Sequence, residues 1–377
     1  MSRAKWILAG VTLALVLLTL WAVRDTGQRS GYLAHAEKLF PDLPAQAAAV
    51  RRIEIVSAGQ QVTLQGSGSD WTVVEKHDFP ADPAKVRALL EGLAGLTLIE
   101  PRTADPARHA ALNLQMPDAP GARGVLVRVL GENDTVLAAV LLGKPRAAAG
   151  QGPRQMFVRR PDEDQTWLTD GAVDPQRTPP LWLRGEAFDL PQARVRTVRV
   201  QHPGQTPLLV SRTAPEASFS LQTPLPKGRD PQPSTIGAVA YGLQRLPLQN
   251  VFKANEVSGD WSQAVSVAFD TFDGLTVTAH VLSLNGVPHV RLSAAVAADA
   301  SPEQRVAASA EAERIARQTA DWVFVVPPHT AATFTPTLEN LLAPLAPPPS
   351  DSTDAPSMPG RPGMMPGMRP PGMPPGM

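Results

Sequence analysis

The stretch VLVRVLGENDTVLAAVLL, Val125 to Leu142, decides how the chain folds. Val125, Val127 and Val129 recur at every second position, Gly131 to Asp134 supplies a turn, and Val136 to Leu142 runs back. A period of two broken by a Gly/Asn/Asp turn predicts an antiparallel β-hairpin. A second stretch, VSVAFDTFDGLTVTAHVLSL, has the same layout: a strand from Val265 to Phe269, a turn from Asp270 to Gly274, and a strand from Leu275 to Leu284.

Outward from each hairpin the same series of elements recurs. Before the first hairpin, Ile53, Ile55 and Val56 precede Gly59, Val62 and Leu64 precede the turn Gly66-Ser67-Gly68-Ser69, and Trp71, Val73 and Val74 follow. Before the second, Val195, Val198 and Val200 lead to Gly204, then come Leu208 to Val210, then Phe219 and Leu221. Each series continues into a helix. In the first, Asp82 is the expected cap, Pro83 the first helical residue, and Val86, Leu89, Leu90, Leu93 and Leu96 share one face up to Gly95. In the second, Ser234 is the expected cap of a helix carrying Ile236, Val239, Ala240, Leu243 and Leu246. Short strands at Phe157-Val158 and Thr166-Trp167-Leu168 correspond to Val287–Leu292 and Trp322–Val326. The offset of roughly 140 to 150 residues is far longer than a solenoid period, so it points to two copies of a domain-sized unit. A capping-box signal at Ser301-Pro302-Glu303-Gln304 predicts an added helix in the second copy, with Val306, Ala310 and Ile315 packed on a sheet.

At the amino end, Trp6 to Val23 is uncharged. Eighteen residues at ~1.5 Å each reach roughly 27 Å, a hydrocarbon thickness. Trp6, Ile7, Leu13, Leu17, Leu20, Trp21 and Val23 are the expected membrane anchor, with the two indoles near the lipid–water boundaries. Arg3 and Lys5 on the short leading side place that end in the cytoplasm. A cleaved secretory signal is the competing reading, but Ala34-His35-Ala36 lies too far from the apolar run for its cleavage site. From Ala346 onward Pro, Gly, Met and Ser dominate, a composition unable to bury enough apolar surface to offset chain entropy.

These observations predict an α+β chain of two duplicated units of antiparallel β-sheet with packed helices, preceded by one transmembrane helix. The expected divisions are 1–25, cytoplasmic tip and anchor; 26–49, a juxtamembrane linker with a helix near Leu33 to Phe40; 50–190 and 191–345, the two α+β units; and 346–377, a disordered tail. The expected location is the bacterial inner membrane, single-pass, with the body in the periplasm.

Composition narrows the chemistry. Lys plus Arg equals Asp plus Glu, 35 against 35, which gives no overall field to gather polyanions, so nucleic acid is not an expected partner. The absence of cysteine excludes a disulfide scaffold, cysteine-ligated zinc and thiol catalysis. The seven histidines, His35, His77, His109, His202, His280, His289 and His329, show no metal-site spacing. His280 and His289 are expected to face each other across a hairpin. Gly66 to Asp70 reads as a hairpin turn, not a nucleophile elbow. Gly143-Lys144 lacks the rest of a phosphate loop and reads as a strand exit. Asp270 to Gly274 lacks the alternating oxygens of a calcium loop. Arg159-Arg160 and Arg194, Arg196 and Arg199 read as solvated strand faces before they read as a basic strip. No catalytic residue, cofactor or metal ligand is therefore expected. Met358, Met364, Met365, Met368, Met373 and Met377 in the tail supply soft thioethers suited to Cu(I).

Several short motifs share an order and spacing with a known family. They are Asp70-Trp71 opening a strand, Phe79-Pro80-Ala81-Asp82 leading to Val86-Arg87-Ala88-Leu89-Leu90, and Leu141-Leu142-Gly143 ending a strand. Met156 to Arg159, Thr166-Trp167-Leu168 and Pro180-Leu181-Trp182-Leu183 complete the set. In these, the region from Ile53 to Val200 resembles the bacterial family known as domain of unknown function 4340. The resemblance implies a membrane-anchored extracytoplasmic protein, in some members auxiliary to ABC-type export systems of the gliding-motility kind, and it carries over no catalytic residues. The expected function is a non-enzymatic periplasmic accessory or scaffold protein, with the lipid bilayer and a membrane protein, such as an ABC transporter component, as partners. Two alternatives are an envelope-polymer hydrolase with a carboxylate pair from distant strands, and a Cu(I)-handling protein working through the tail.

Overall fold

The computed structural model describes residues 37–146 and 154–344. Its strands in chain order are β1 (Arg52–Ser57), β2 (Gln60–Ser67), β3 (Asp70–Val73), β4 (Phe79–Pro80), β5 (Thr97–Pro101), β6 (Val125–Leu130), β7 (Val136–Arg146), β8 (Gln155–Arg159), β9 (Thr166–Asp170), β10 (Glu186–Phe188), β11 (Val195–Gln201), β12 (Leu208–Ser211), β13 (Ser220–Leu221), β14 (Leu246–Pro247), β15 (Asn250–Lys253), β16 (Val265–Thr271), β17 (Leu275–Leu284), β18 (Val287–Val296) and β19 (Trp322–Val325). The first sheet runs β4-β3-β2-β1-β6-β7-β8-β9-β5 and the second β13-β12-β11-β16-β17-β18-β19-β15, with β10 and β14 paired between them. Every strand pair is antiparallel, and the fold is α+β.

From β3 onward the first sheet has the strand order of the second, and the registers correspond too. Ile53 lies opposite Leu64 on one side and Val129 on the other; Val198 lies opposite Val210 and Phe269. All six are fully buried. Each contributes about 1.5–3 kcal/mol of apolar burial, which fixes the register, because a one-residue slip would turn the whole row to solvent.

The helix Pro83–Gly95 forms as its sequence dictates. The Asp82 carboxylate accepts the Ala84 N–H at 2.9 Å, Pro83 takes the first turn, and Val86, Leu89 and Leu93 are buried beneath. The helix Pro302–Thr319 opens with the expected capping box between Ser301 and Gln304.

The two sheets share one continuous apolar core. β4 has no counterpart in the second sheet, and its Phe79 ring stands edge-on to Trp322 (5.1 Å) and Phe324 (6.3 Å) of β19. The connection between sheets is sewn to both sides: Asp82 N–H donates to Trp182 O, Arg184 N–H to Pro80 O and Leu248 N–H to Gly185 O.

Several expectations change. Residues 37–40 are not helical; Lys38 bridges Thr97, so this segment lies along the edge of β5, a strand the periodicity did not reveal. Ser234 does not cap its helix. The helix starts at Pro233 with Gln232 before it and ends at Val239, leaving Leu243 in a turn and Leu246 in β14, although all of these apolar residues are buried. In the added helix Ile315 is buried as expected, but Val306 is 77 % exposed and Ala310 is exposed too, with Ala308, Ala312 and Thr319 buried in their place. The cause is that Gln304 Nε2 donates to Phe272 O and Thr319 Oγ1 to Leu292 O, which fixes the helix's rotation. The anchor residues Trp6, Ile7, Leu13, Leu17, Leu20, Trp21 and Val23, linker residues 26–36 and the Met-bearing tail lie outside the described residues. Among the described residues no helix is long and apolar enough to cross a membrane.

Candidate functional site

Between β3 and β4 the chain makes a 3-10 turn, Val74–Lys76, followed by two left-handed residues, His77 (φ 53°) and Asp78 (φ 60°). Side-chain-bearing residues rarely take this conformation. Here it is held by the His77 and Asp78 N–H groups donating to Val74 O and Val73 O, at 3.0 and 3.1 Å. The loop reaches across to the second sheet. The Lys76 ammonium sits 4.8 Å from the centre of the Phe252 ring, and His77 Nε2 lies 2.7 Å from Glu256 Oε1. Phe252 is also stacked with His289, ring centres 6.3 Å apart.

Beside this cluster a groove of about 460 Å³ opens on the outer face of the second sheet, within the size range of small-ligand clefts. Alternation along the strands explains the lining. Val251, Phe324 and Val290 pair in a buried row, so Asn250, Val325 and His289 point the other way. Phe252, Leu284, Val287 and Val325 give the groove apolar surface; Asn250, Glu256, Ser258, Asn285 and His289 give it polar groups. The Lys253 backbone N–H, aided by His77 and Lys76, holds the Glu256 carboxyl below the usual carboxylate range. Burial pushes the Lys76 amine down, opposed by Glu256.

A larger hollow of about 650 Å³ lies between residues 39–46 and the β6–β7 hairpin. Its cations are already engaged: Arg128 with Glu54 at 3.5 Å and Arg160 with Glu163 at 3.3 Å.

The motifs singled out in the sequence fall elsewhere. Gly66 to Asp70 is the β2–β3 turn; a Cβ on Gly66 would overlap Asp70 O. Gly143 lies inside β7, where a Cβ would run into Leu112 O, so the glycine admits the segment 112–114 onto the sheet. Arg159 is buried and donates to the carbonyls of Leu114, Pro161 and Glu163. Arg194, Arg196 and Arg199 are paired with Glu311, Asp299 and Asp270, which leaves no unneutralised strip among them. His280 lies opposite Arg291, and His289 opposite Leu282, so the two histidines are diagonal neighbours and do not face each other. His109 and His202 each bond a backbone carbonyl, Asp164 O and Pro336 O. Among the described residues no three His, Cys, Asp or Glu side chains gather as a metal site.

Of the polar groove residues only His289 was singled out from the sequence, and as a partner of His280, not as part of a site. One signal for part of the site was present: Asn285-Gly286, with φ 52° and 78°, is the two-residue hairpin turn that presents Asn285 at its tip. The rest depends on the crossing of the β3–β4 loop, a contact between residues about 180 positions apart that local periodicity does not encode.

The model of one family, domain of unknown function (DUF4340), matches residues 71–259, half of the 377-residue chain. The chain belongs to that family. No curated protein and no solved structure matches it. The family match begins at β3, later than Ile53, and runs past Val200 through β15. It therefore takes in Lys76, His77, Asn250, Phe252, Glu256 and Ser258, but not the β17–β18 hairpin that supplies Asn285 and His289.

Proposed function

We propose that this protein is a membrane-tethered, extracytoplasmic scaffold, non-enzymatic and auxiliary to a membrane complex such as an ABC-type transport system. The observation that carries this reading is how the chain enters the fold. Leu98 N–H donates to Glu37 O and Leu39 N–H to Leu96 O, so the segment following the apolar run is fastened to β5. From Arg24 to Ala36 there are thirteen residues, which extend at most about 45 Å. With the apolar run held in a bilayer, such a tether would confine the body near it and raise its effective concentration beside a membrane partner.

The sheet edges are poorly suited to capturing a partner by strand addition. β5 carries residues 37–39, β4 abuts the second sheet, and β13 is two residues long. In β15, Asn250 Oδ1 takes the Val251 N–H and Glu256 Oε2 the Lys253 N–H. Such self-capping blunts an edge and assigns recognition to the groove. The acids with displaced titration, Glu256, Asp260, Asp299, Glu311 and Glu339, are all held low by hydrogen bonds, in several cases with an ion pair, which suits fixed structural contacts better than proton transfer. The shared strand order supports treating the units as two copies of one fold.

The test is a full-length fusion, with a reporter enzyme active only outside the cytoplasm placed after Pro344, combined with crosslinking in intact membranes. Reporter activity with capture of a specific membrane complex is expected. A silent reporter, or a correctly exported body that captures nothing specific, overturns the reading.

A further inference from the structure

The groove on the second sheet is not merely a hollow, because its polar side chains keep hydrogen-bonding capacity that the described residues do not use. His289 Nδ1 lies 2.9 Å from Val287 O. A carbonyl only accepts, so Nδ1 carries the proton, and in the neutral ring Nε2 is left as an acceptor. Asn250 spends its Oδ1 on the Val251 N–H, which leaves its NH₂ as a double donor. Among the described residues the Asn285 amide and the Ser258 hydroxyl have no hydrogen-bond partner, and each can both donate and accept. Glu256 accepts one bond on each oxygen, from His77 and from Lys253, and retains lone pairs beyond those.

Charge restricts what fits. The Glu256 carboxylate faces the Lys76 ammonium and the His77 ring, so the groove has no surplus of either sign. An anion would meet Glu256; a cation gains little, because Lys76, beside the groove against Phe252, already offsets the Glu256 charge. Backbone addition of a peptide is blocked because both outward N–H groups of β15 are taken. What remains is a ligand that is neutral, offers alternating donors and acceptors, and has apolar C–H faces to lay on Leu284, Val287 and Val325.

We propose that the groove binds a neutral saccharide unit, whose hydroxyls both donate and accept and whose ring C–H groups cover the apolar side. This rests on the reading of the groove as the protein's recognition surface. The full-length protein in detergent is titrated with N-acetylglucosamine, maltose and chitobiose, and with glucuronate as the anionic control, by calorimetry and ligand-observed NMR. At least one neutral sugar is expected to bind with Kd below about 10 mM, with glucuronate at least tenfold weaker. Ser258→Ala combined with Asn285→Gly should weaken binding at least tenfold. Gly tolerates the positive φ at position 285, and both sites are exposed, so the fold is expected to stand; an unchanged circular dichroism melt checks it. Should all three neutral sugars fail to bind, or bind equally well to the double variant, the proposal is wrong. Glu256→Gln supplies an independent arm: it should relieve the exclusion of glucuronate, and an unchanged preference overturns the charge argument. The crosslinking experiment separates the two readings, because a scaffold that still captures its partner without any sugar affinity refutes this inference alone.

Discussion

At single residues, the positions with the largest leverage are those where a side chain or its absence meets distant backbone. Gly143 is one. Any Cβ there overlaps Leu112 O and comes within 2.8 Å of the Leu114 side chain, so Gly143→Ala should lower stability by about 1–3 kcal/mol, read as a shifted urea midpoint. Arg212 is another. Its guanidinium donates to the carbonyls of Val195 (2.8 Å), Gln192 (2.7 Å), Ala193 (2.9 Å) and Pro215, between the rings of Phe219 and Phe272. Lysine keeps the charge but loses the planar fork, and Arg212→Lys is expected to destabilise by about 2–4 kcal/mol. His280 gives a pH signature. Burial, with Arg291 opposite, lowers its pKa from the ordinary 6.5, so the unfolded chain binds its proton more readily. Stability therefore falls as pH drops below about 6.5 and levels off once the folded pKa is passed. His280→Gln should flatten the stability profile between pH 7 and 5 in denaturant titrations.

Among the elements, the added helix Pro302–Thr319 shows what sequence reveals and what it conceals. Its start was legible because the Ser301/Gln304 box is local. Its buried face was legible only at Ile315, since Val306 is the more apolar choice, yet tertiary bonds turn Ala308 and Ala312 inward. The β-hairpins were legible for the opposite reason: alternation and turn residues lie within one window. β5 escaped because Thr97 to Pro101 carries no alternation: Thr97 to Glu100 are all half-buried and Pro101 is exposed. The helix is clamped by Arg194, which bonds Glu311 at 2.8 and 2.9 Å and Asp273 at 2.7 Å. Those bonds hold the Glu311 carboxyl below its usual range. A depressed carboxylate stabilises above its unfolded pKa and loses that contribution as pH falls through the folded value. Between pH 6 and pH 3 the wild type should therefore lose more stability than Glu311→Gln, as measured by urea melts at each pH.

For the molecule as a whole, one core under two sheets predicts one unfolding transition. Tryptophan fluorescence and far-ultraviolet circular dichroism should give coincident melts; two resolved steps would show that the sheets unfold separately. A fragment ending at Leu190 should be unstable, because Phe79 and Leu190 lose the cover that the second sheet provides. The strand series of both units, apart from β5 and β15, could be read in advance, outward from Val125–Leu142 and Val265–Leu284. Their junction could not, because neither β4 nor the left-handed pair His77-Asp78 has an equivalent in the second series to betray it.

That unmatched β4 also gives the pair a direction. The first unit carries the plug, Phe79, and the second the socket formed by Trp322 and Phe324, while the position beyond β13 that a plug of the second unit would occupy holds no strand among the described residues. Joining is therefore directional: among the described residues the first unit inserts and the second receives.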